Sequence, residues 1–133
     1  MLTDAQIAAL LRDAIPGLIA VYRFGSTARG QTHAGSDVDV AFLAAAPVNV
    51  VDRFAVQERL AARLGRDVDL VDLGRASTVM RMQVVSTGVL LAAIDTAAQE
   101  RFEDLTYSGY ARLNEERREI LEQIHREGRV HGG

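Results

Sequence analysis

The chain contains no cysteine and no lysine in its 133 residues. Without cysteine there can be no disulfide, no thiolate zinc site and no cysteine nucleophile. Without lysine, all fifteen basic residues are arginine, which excludes a Schiff-base lysine and the lysine of a P-loop. Any phosphate chemistry here falls to backbone amides, hydroxyls, arginine or a metal ion. Long apolar runs are missing too: nothing approaches the roughly 18 consecutive residues of a membrane span. The N-terminus lacks the basic, apolar, small-residue progression of a secretory signal, so the expected location is the cytoplasm. A net charge of -3 gives no general pull toward nucleic acid, which is disfavoured as a partner.

What is present is ordinary for a soluble globular domain, with 48% apolar and 25% charged residues, and the length suits one core but not two. Thr3 followed by Gln6 fits a capping box ahead of Ile7, Leu10, Leu11, Ala14 and Ile15 at helical spacing, with Pro16-Gly17 ending the helix. Leu18 to Phe24 reads as a central strand, and Ser36 to Phe42 as an alternating one with Val38 and Val40 on one side and Asp37 and Asp39 on the other. Asn49 and Asp52 open a second helix with Val56, Leu60 and Leu64 on one face and Gly65 as its cap. Asp67 to Leu73 reads as a third strand, about Ser77 to Thr87 as a helix capped by Gly88, and Val89 to Ile94 as a fourth strand or a buried connection. From Asp95 the pattern is a long helix or helix pair, with a kink or a close contact expected at Gly109 and fraying from Gly128. The expected organisation is an α/β (α+β) domain: core 1–94, helical extension 95–127 packing on the core or on a partner, and tail 128–133.

The chemistry concentrates in Phe24 to Val40, FGSTARGQTHAGSDVDV. A strand that stops at Gly25-Ser26 and turns into a short helix over Thr27 to Gly30 leaves helix-start amides pointing outward, which is an anion site. Gly25 lets a phosphate approach the backbone, and Ser26 offers a hydroxyl. Ten residues later, Asp37-x-Asp39 places carboxylates close enough to repel unless a cation neutralises them. Mg²⁺ is characteristically held by one or two carboxylates plus substrate phosphates. A phosphate cradle beside a carboxylate pair points to a nucleotide and Mg²⁺.

The spacing Gly-Ser, about ten residues, Asp-x-Asp resembles the signature of the nucleotidyltransferase superfamily of the DNA polymerase β type. Gly25 to Gly30 and Ser36 to Val40 resemble its minimal nucleotidyltransferase branch, and Phe102 to Leu113 is similar to the tail of the antitoxin partners of HEPN ribonuclease toxins. The resemblance implies a polymerase β-like fold, a small mixed sheet flanked by helices with a C-terminal helical arm. It implies that Gly25 and Ser26 hold the β and γ phosphates of ATP and that Asp37 and Asp39 bind Mg²⁺. A third carboxylate on a neighbouring strand should complete the site: Asp67, Asp69 or Asp72. The family's placement favours Asp69. The activity implied is transfer of AMP from ATP to a hydroxyl, a tyrosine's in the toxin–antitoxin members, of a HEPN toxin bound as a hetero-oligomer.

Plainer readings stand beside these. Asp37 and Asp39 could lie on a solvated edge strand, and Arg29 could pair with a surface carboxylate as readily as with phosphate. His33, His125 and His131 lack ligand spacing. Tyr107 and Tyr110 near Gly109 could anchor a partner. At the level of function, the competing expectations are a non-catalytic antitoxin acting by occlusion and a nucleotidyltransferase acting on a small molecule.

Overall fold

A computed structural model describes residues 2–25 and 37–131, with side chains through Gly128. The elements run α1 (Asp4–Ala14), β1 (Leu18–Phe24), β2 (Val38–Ala44), α2 (Val50–Leu64), β3 (Val68–Asp72), α3 (Thr78–Thr87), β4 (Val89–Ala93) and α4 (Thr96–His131). The capping box at Thr3 is formed in both directions, with Gln6 N donating to Thr3 Oγ1 at 3.2 Å and Thr3 N donating to Gln6 Oε1 at 2.8 Å. Asn49 caps α2 by accepting from Asp52 N, and Ser77 caps α3 by accepting from Met80 N. Gly65 ends α2 at φ +65°, the left-handed conformation that glycine reaches without a steric cost. Within the 89–94 segment, Val89–Ala93 is a strand, antiparallel to β1.

The four strands form one mixed sheet in the order β3-β2-β1-β4. β1 is antiparallel to both neighbours, while β2 and β3 are parallel. On the first face, Val21, Val40, Phe42 and Leu70 pack against Leu11 of α1 and Leu60 of α2. On the second face, Ala20, Tyr22, Phe24, Ala41 and Leu43 pack against Val84 of α3 and Phe102 of α4. Side chains fully buried in these layers, such as Phe42 and Leu60, each contribute about 1.5–3 kcal/mol of transfer free energy.

β2 alternates as expected, with Val38 and Val40 in the first-face core and Asp39 turned to the second face, but that second face is packed as well. Asp39 is half-buried, but Ala41 and Leu43 beyond it on the same face are buried. β2 is also an interior strand, so the solvated-edge reading of Asp39 does not hold. Helices on both faces leave no dry-and-wet pattern for the strand to follow.

α4 corrects a further expectation. It is one continuous helix through Gly109, where an added methyl would meet Thr78 Cγ2 at an ordinary 3.9 Å, so neither kink nor close approach is required. A single glycine costs a helix about 1 kcal/mol relative to alanine, too little to break 36 residues. The helix runs to His131, with Glu122, Gln123, Arg126 and Glu127, residues of high helix propensity, among its last turns.

Candidate functional site

Three of the sequence-derived site residues meet at one end of the sheet. Gly25 follows β1 directly, Asp39 is the second residue of β2, and Asp69 is the second residue of β3. The β2–β3 register sets Asp39 opposite Asp69, and the β1–β2 register sets Phe24 opposite Asp39. Direct partners in adjacent strands project to the same face, so the two carboxyl groups are neighbours across the parallel pair. Asp37 lies exposed just before β2. Ser26 and Arg29, with the short helix expected over Thr27 to Gly30 and His33, lie outside the described residues.

The electrostatics follow from this crowding. The Asp39 carboxyl is pushed above its ordinary value, first by burial, then by the Asp69 charge, then by Asp37. All three groups therefore act on one point. Gly25 is required there twice over. Its φ of +76° lies in the left-handed region, and a Cβ on it would collide with the Asp39 carboxylate.

The three candidates for the third acid lie in different places. Asp67 precedes β3, and its carbonyl accepts from Val38 N at 2.9 Å, which ties the start of β3 to β2. Asp72 is 5% exposed, and its carboxylate accepts from Val48 N and Gly74 N, both at 2.9 Å. That role pins the loops at the far end of β3, away from Asp39. Asp69 is the carboxylate in register with Asp39.

Among the described residues no three acidic or histidine side chains close into a cage of their own. The donor set is nonetheless hard oxygen and mutually repelling, the chemistry that fits a divalent cation whose remaining ligands come from substrate phosphate.

Two side-chain clusters beside the site were not read from the sequence. Tyr22 Oη donates to Glu103 Oε1 at 3.0 Å and accepts from Gln99 Nε2 at 3.2 Å, fixing α4 to the second face. Burial, above all, pushes the Tyr22 hydroxyl up to about 12. On the outer edge of β3, Leu70 N donates to Gln57 Oε1 and Leu70 O accepts from Arg53 Nη1, both at 3.0 Å. No local pattern announces either cluster, because each joins residues far apart in the chain. A groove of about 590 Å³ beside Arg117, Leu121 and His125 lies on α4, and Glu122 is the carboxylate residue in its lining.

Residues 5–97 match the family described as Polymerase beta, Nucleotidyltransferase. The chain is 42% identical over 123 residues to the protein adenylyltransferase MntA of Shewanella oneidensis, covering 92% of this chain and 88% of that protein. It is similar to a chain in the crystal structure of a toxin–antitoxin with AMP-PNP, at 41% identity and a TM-score of 0.83, covering 92% of this chain and 98% of that one. It is also similar to a chain in the structure of a tri-AMPylated Shewanella oneidensis HEPN toxin in complex with its MNT antitoxin, at 39% identity and a TM-score of 0.76, covering 91% and 94%. With the signature glycine and the acid pair in the geometry just described, the chain belongs to the polymerase β-type nucleotidyltransferases.

Proposed function

We propose that this chain is an antitoxin nucleotidyltransferase that transfers AMP from ATP to a hydroxyl, a tyrosine's by the family resemblance, on a partner HEPN ribonuclease toxin and so neutralises it. The observation that carries this reading is the in-register pair Asp39–Asp69 beside Gly25, in a chain 42% identical to a protein adenylyltransferase. The acceptor oxygen attacks the α-phosphorus, the bond to the β-phosphate bridging oxygen breaks, and pyrophosphate leaves with the released electron pair. Asp37, Asp39 and Asp69 would hold Mg²⁺, which supplies charge neutralisation for the triphosphate and a lowered pKa for the acceptor hydroxyl. Asp69, the more exposed member of the pair, is positioned to take the acceptor proton. Gly25, and with it Ser26 and Arg29, would receive the phosphates. In this reading residues 1–94 form the catalytic core, the helix beyond them packs on the core or the partner, and the reaction proceeds in the cytoplasm, where ATP is supplied.

The deciding experiment is intact-mass spectrometry of the partner toxin after incubation with this chain, ATP and Mg²⁺, with Asp37→Ala and Asp39→Ala in parallel. AMP-sized steps that vanish in both variants are expected. A stable complex with no mass change would overturn catalysis in favour of occlusion.

A further inference from the structure

β3 is an edge strand of five residues, held to the sheet through a single parallel neighbour. Parallel pairing is slightly the weaker kind, and an edge strand shows a row of unpaired N–H and C=O groups on its free side. In a strand, successive residues point their backbone groups to opposite sides; Leu70 points its pair outward, away from β2, while Asp69 pairs inward. The outward groups of Leu70 are not left to water. Gln57 and Arg53, one turn apart on α2, take them at 3.0 Å each, and Arg53 Nη1 reaches Gln57 Oε1 at 3.4 Å. One side chain accepts where a neighbouring strand's carbonyl would, and the other donates where its amide would. The Leu70 side chain, 1% exposed, is meanwhile locked in the first-face core.

The position of this clasp matters because of what sits next to it. A slip of one residue would turn every β3 side chain to the opposite face. Asp69 would leave Asp39, and Val68 or Leu70 would take its place. Smaller drifts of the edge would move the Asp69 carboxylate relative to Asp39, and reacting geometries are sensitive at the 1 Å level.

We propose that Gln57 and Arg53 are positioning residues for the reaction: by standing in for the missing strand at Leu70, they hold Asp69 in register with Asp39. This rests on the reading of Asp39 and Asp69 as the working carboxylates. Each acts through the backbone of β3, where Gln57 and Arg53 hold Leu70 N and O.

The test uses the full chain with its toxin, ATP and Mg²⁺. Gln57→Ala, at a helical site where alanine is well tolerated, should lower kcat by about 10–100-fold, the usual cost of losing a group that orients a metal-site ligand. KM for ATP should stay near its original value, while the Mg²⁺ concentration for half-maximal rate rises. Gln57→Glu retains the acceptor oxygen and should restore kcat. In an Asp69→Asn background, Gln57→Ala should cost nothing further, because the carboxylate it positions is gone. Melting curves of each variant fix an assay temperature at which all are folded. Unchanged kcat and Mg²⁺ response in folded Gln57→Ala and Arg53→Ala would overturn the proposal, as would a loss that simply adds to that of Asp69→Asn. Asp39→Ala serves as the control: transfer surviving it overturns the underlying site reading, whereas transfer lost in Asp39→Ala but unmoved in Gln57→Ala overturns the positioning role alone.

Discussion

The two faces of the sheet are built from different materials. The first, under α1 and α2, is an apolar layer of Leu11, Val40, Phe42, Leu60 and their neighbours, with Arg23 at its margin, where Nη1 donates to Asp4 at 2.9 Å while Nε is buried without a partner among the described residues. The second carries buried apolar groups too, but among them stand Tyr22, Gln99 and Glu103, and at its open end Asp39 beside Asp69. One face supplies stability through close packing; the other gives up some of it to keep polar and ionisable groups in fixed places. Sites of this kind commonly trade stability for function. The division is open to experiment, because a substitution on each face should move one property and spare the other.

The largest separation is expected at Asp39. Asp39→Asn keeps the shape of the side chain but removes its charge, and AMP transfer should fall at least about a hundredfold, the scale seen when a dominant charge-stabilising group is lost. Stability should move the other way. Since the folded Asp39 carboxyl sits above its ordinary value, the folded state favours the neutral form. Its contribution is most favourable at low pH, declines as pH rises from the unfolded value through the raised folded one, and stays unfavourable at neutral pH. In metal-free buffer at pH 7, therefore, Asp39→Asn should melt slightly higher than the native chain, the gain being small because the carboxylate keeps partial contact with water. At acid pH, where the native carboxyl is protonated, the difference should shrink. Thermal melts at both pH values check this, and a lower melting temperature for Asp39→Asn at pH 7 would break the proposed trade.

The reciprocal case is Leu11→Ala on the first face. Leu11 is fully buried against the sheet, and truncation should cost about 2–5 kcal/mol, part transfer free energy and part cavity. For a domain whose whole stability is of the order of 5–15 kcal/mol, that is a large fraction. Yet Leu11 lies on the face opposite Asp39, so transfer measured well below the variant's melting point should match the native rate per folded molecule. Denaturant titration gives the first number and the intact-mass assay the second.

How much of this was readable in the sequence follows the same division. The first face was nearly all legible: the capping box at Thr3, the α1 and α2 stripes, and the Leu18–Phe24 strand are local patterns with local causes. The site was legible where its spacing is local, at Gly25 and Asp37-x-Asp39. Which acid accompanies them was not legible from spacing, and only the family resemblance favoured Asp69, since Asp67, Asp69 and Asp72 differ in which way a strand turns them and in register with a strand some thirty residues away. Parallel pairing sets Asp69 against Asp39, and the buried Asp72 carboxylate is bonded to the loops. The Gln57–Arg53 clasp and the Tyr22 cluster were invisible for the same reason: a hydrogen bond between residues 22 and 103 leaves no periodicity to find. Gly109 misled in the opposite direction, because a residue that often ends helices does not do so when the helix around it is long and packed on α3.

Tyr22→Phe tests the polar part of the second face at the smallest expected cost. The change removes one oxygen and leaves the ring in its place. Gln99, which is buried, then loses its acceptor and Glu103 its donor, and an unsatisfied buried polar group costs about 1–3 kcal/mol. The pH profile identifies the source of the loss. The Tyr22 hydroxyl titrates at about 12 in the fold against 10.0 when unperturbed, so the unfolded chain gives up its proton first. The stabilisation tied to this group is complete below pH 10.0 and lost as pH climbs through about 12. The native chain should therefore weaken more steeply across that window than Tyr22→Phe, and the gap between their melting curves should close as the window is crossed. If the gap is absent at pH 8, Gln99 and Glu103 find other partners and the hydroxyl is not what seats α4. If the gap is present but does not narrow with pH, the loss comes from packing, and the second face is held together by the same forces as the first.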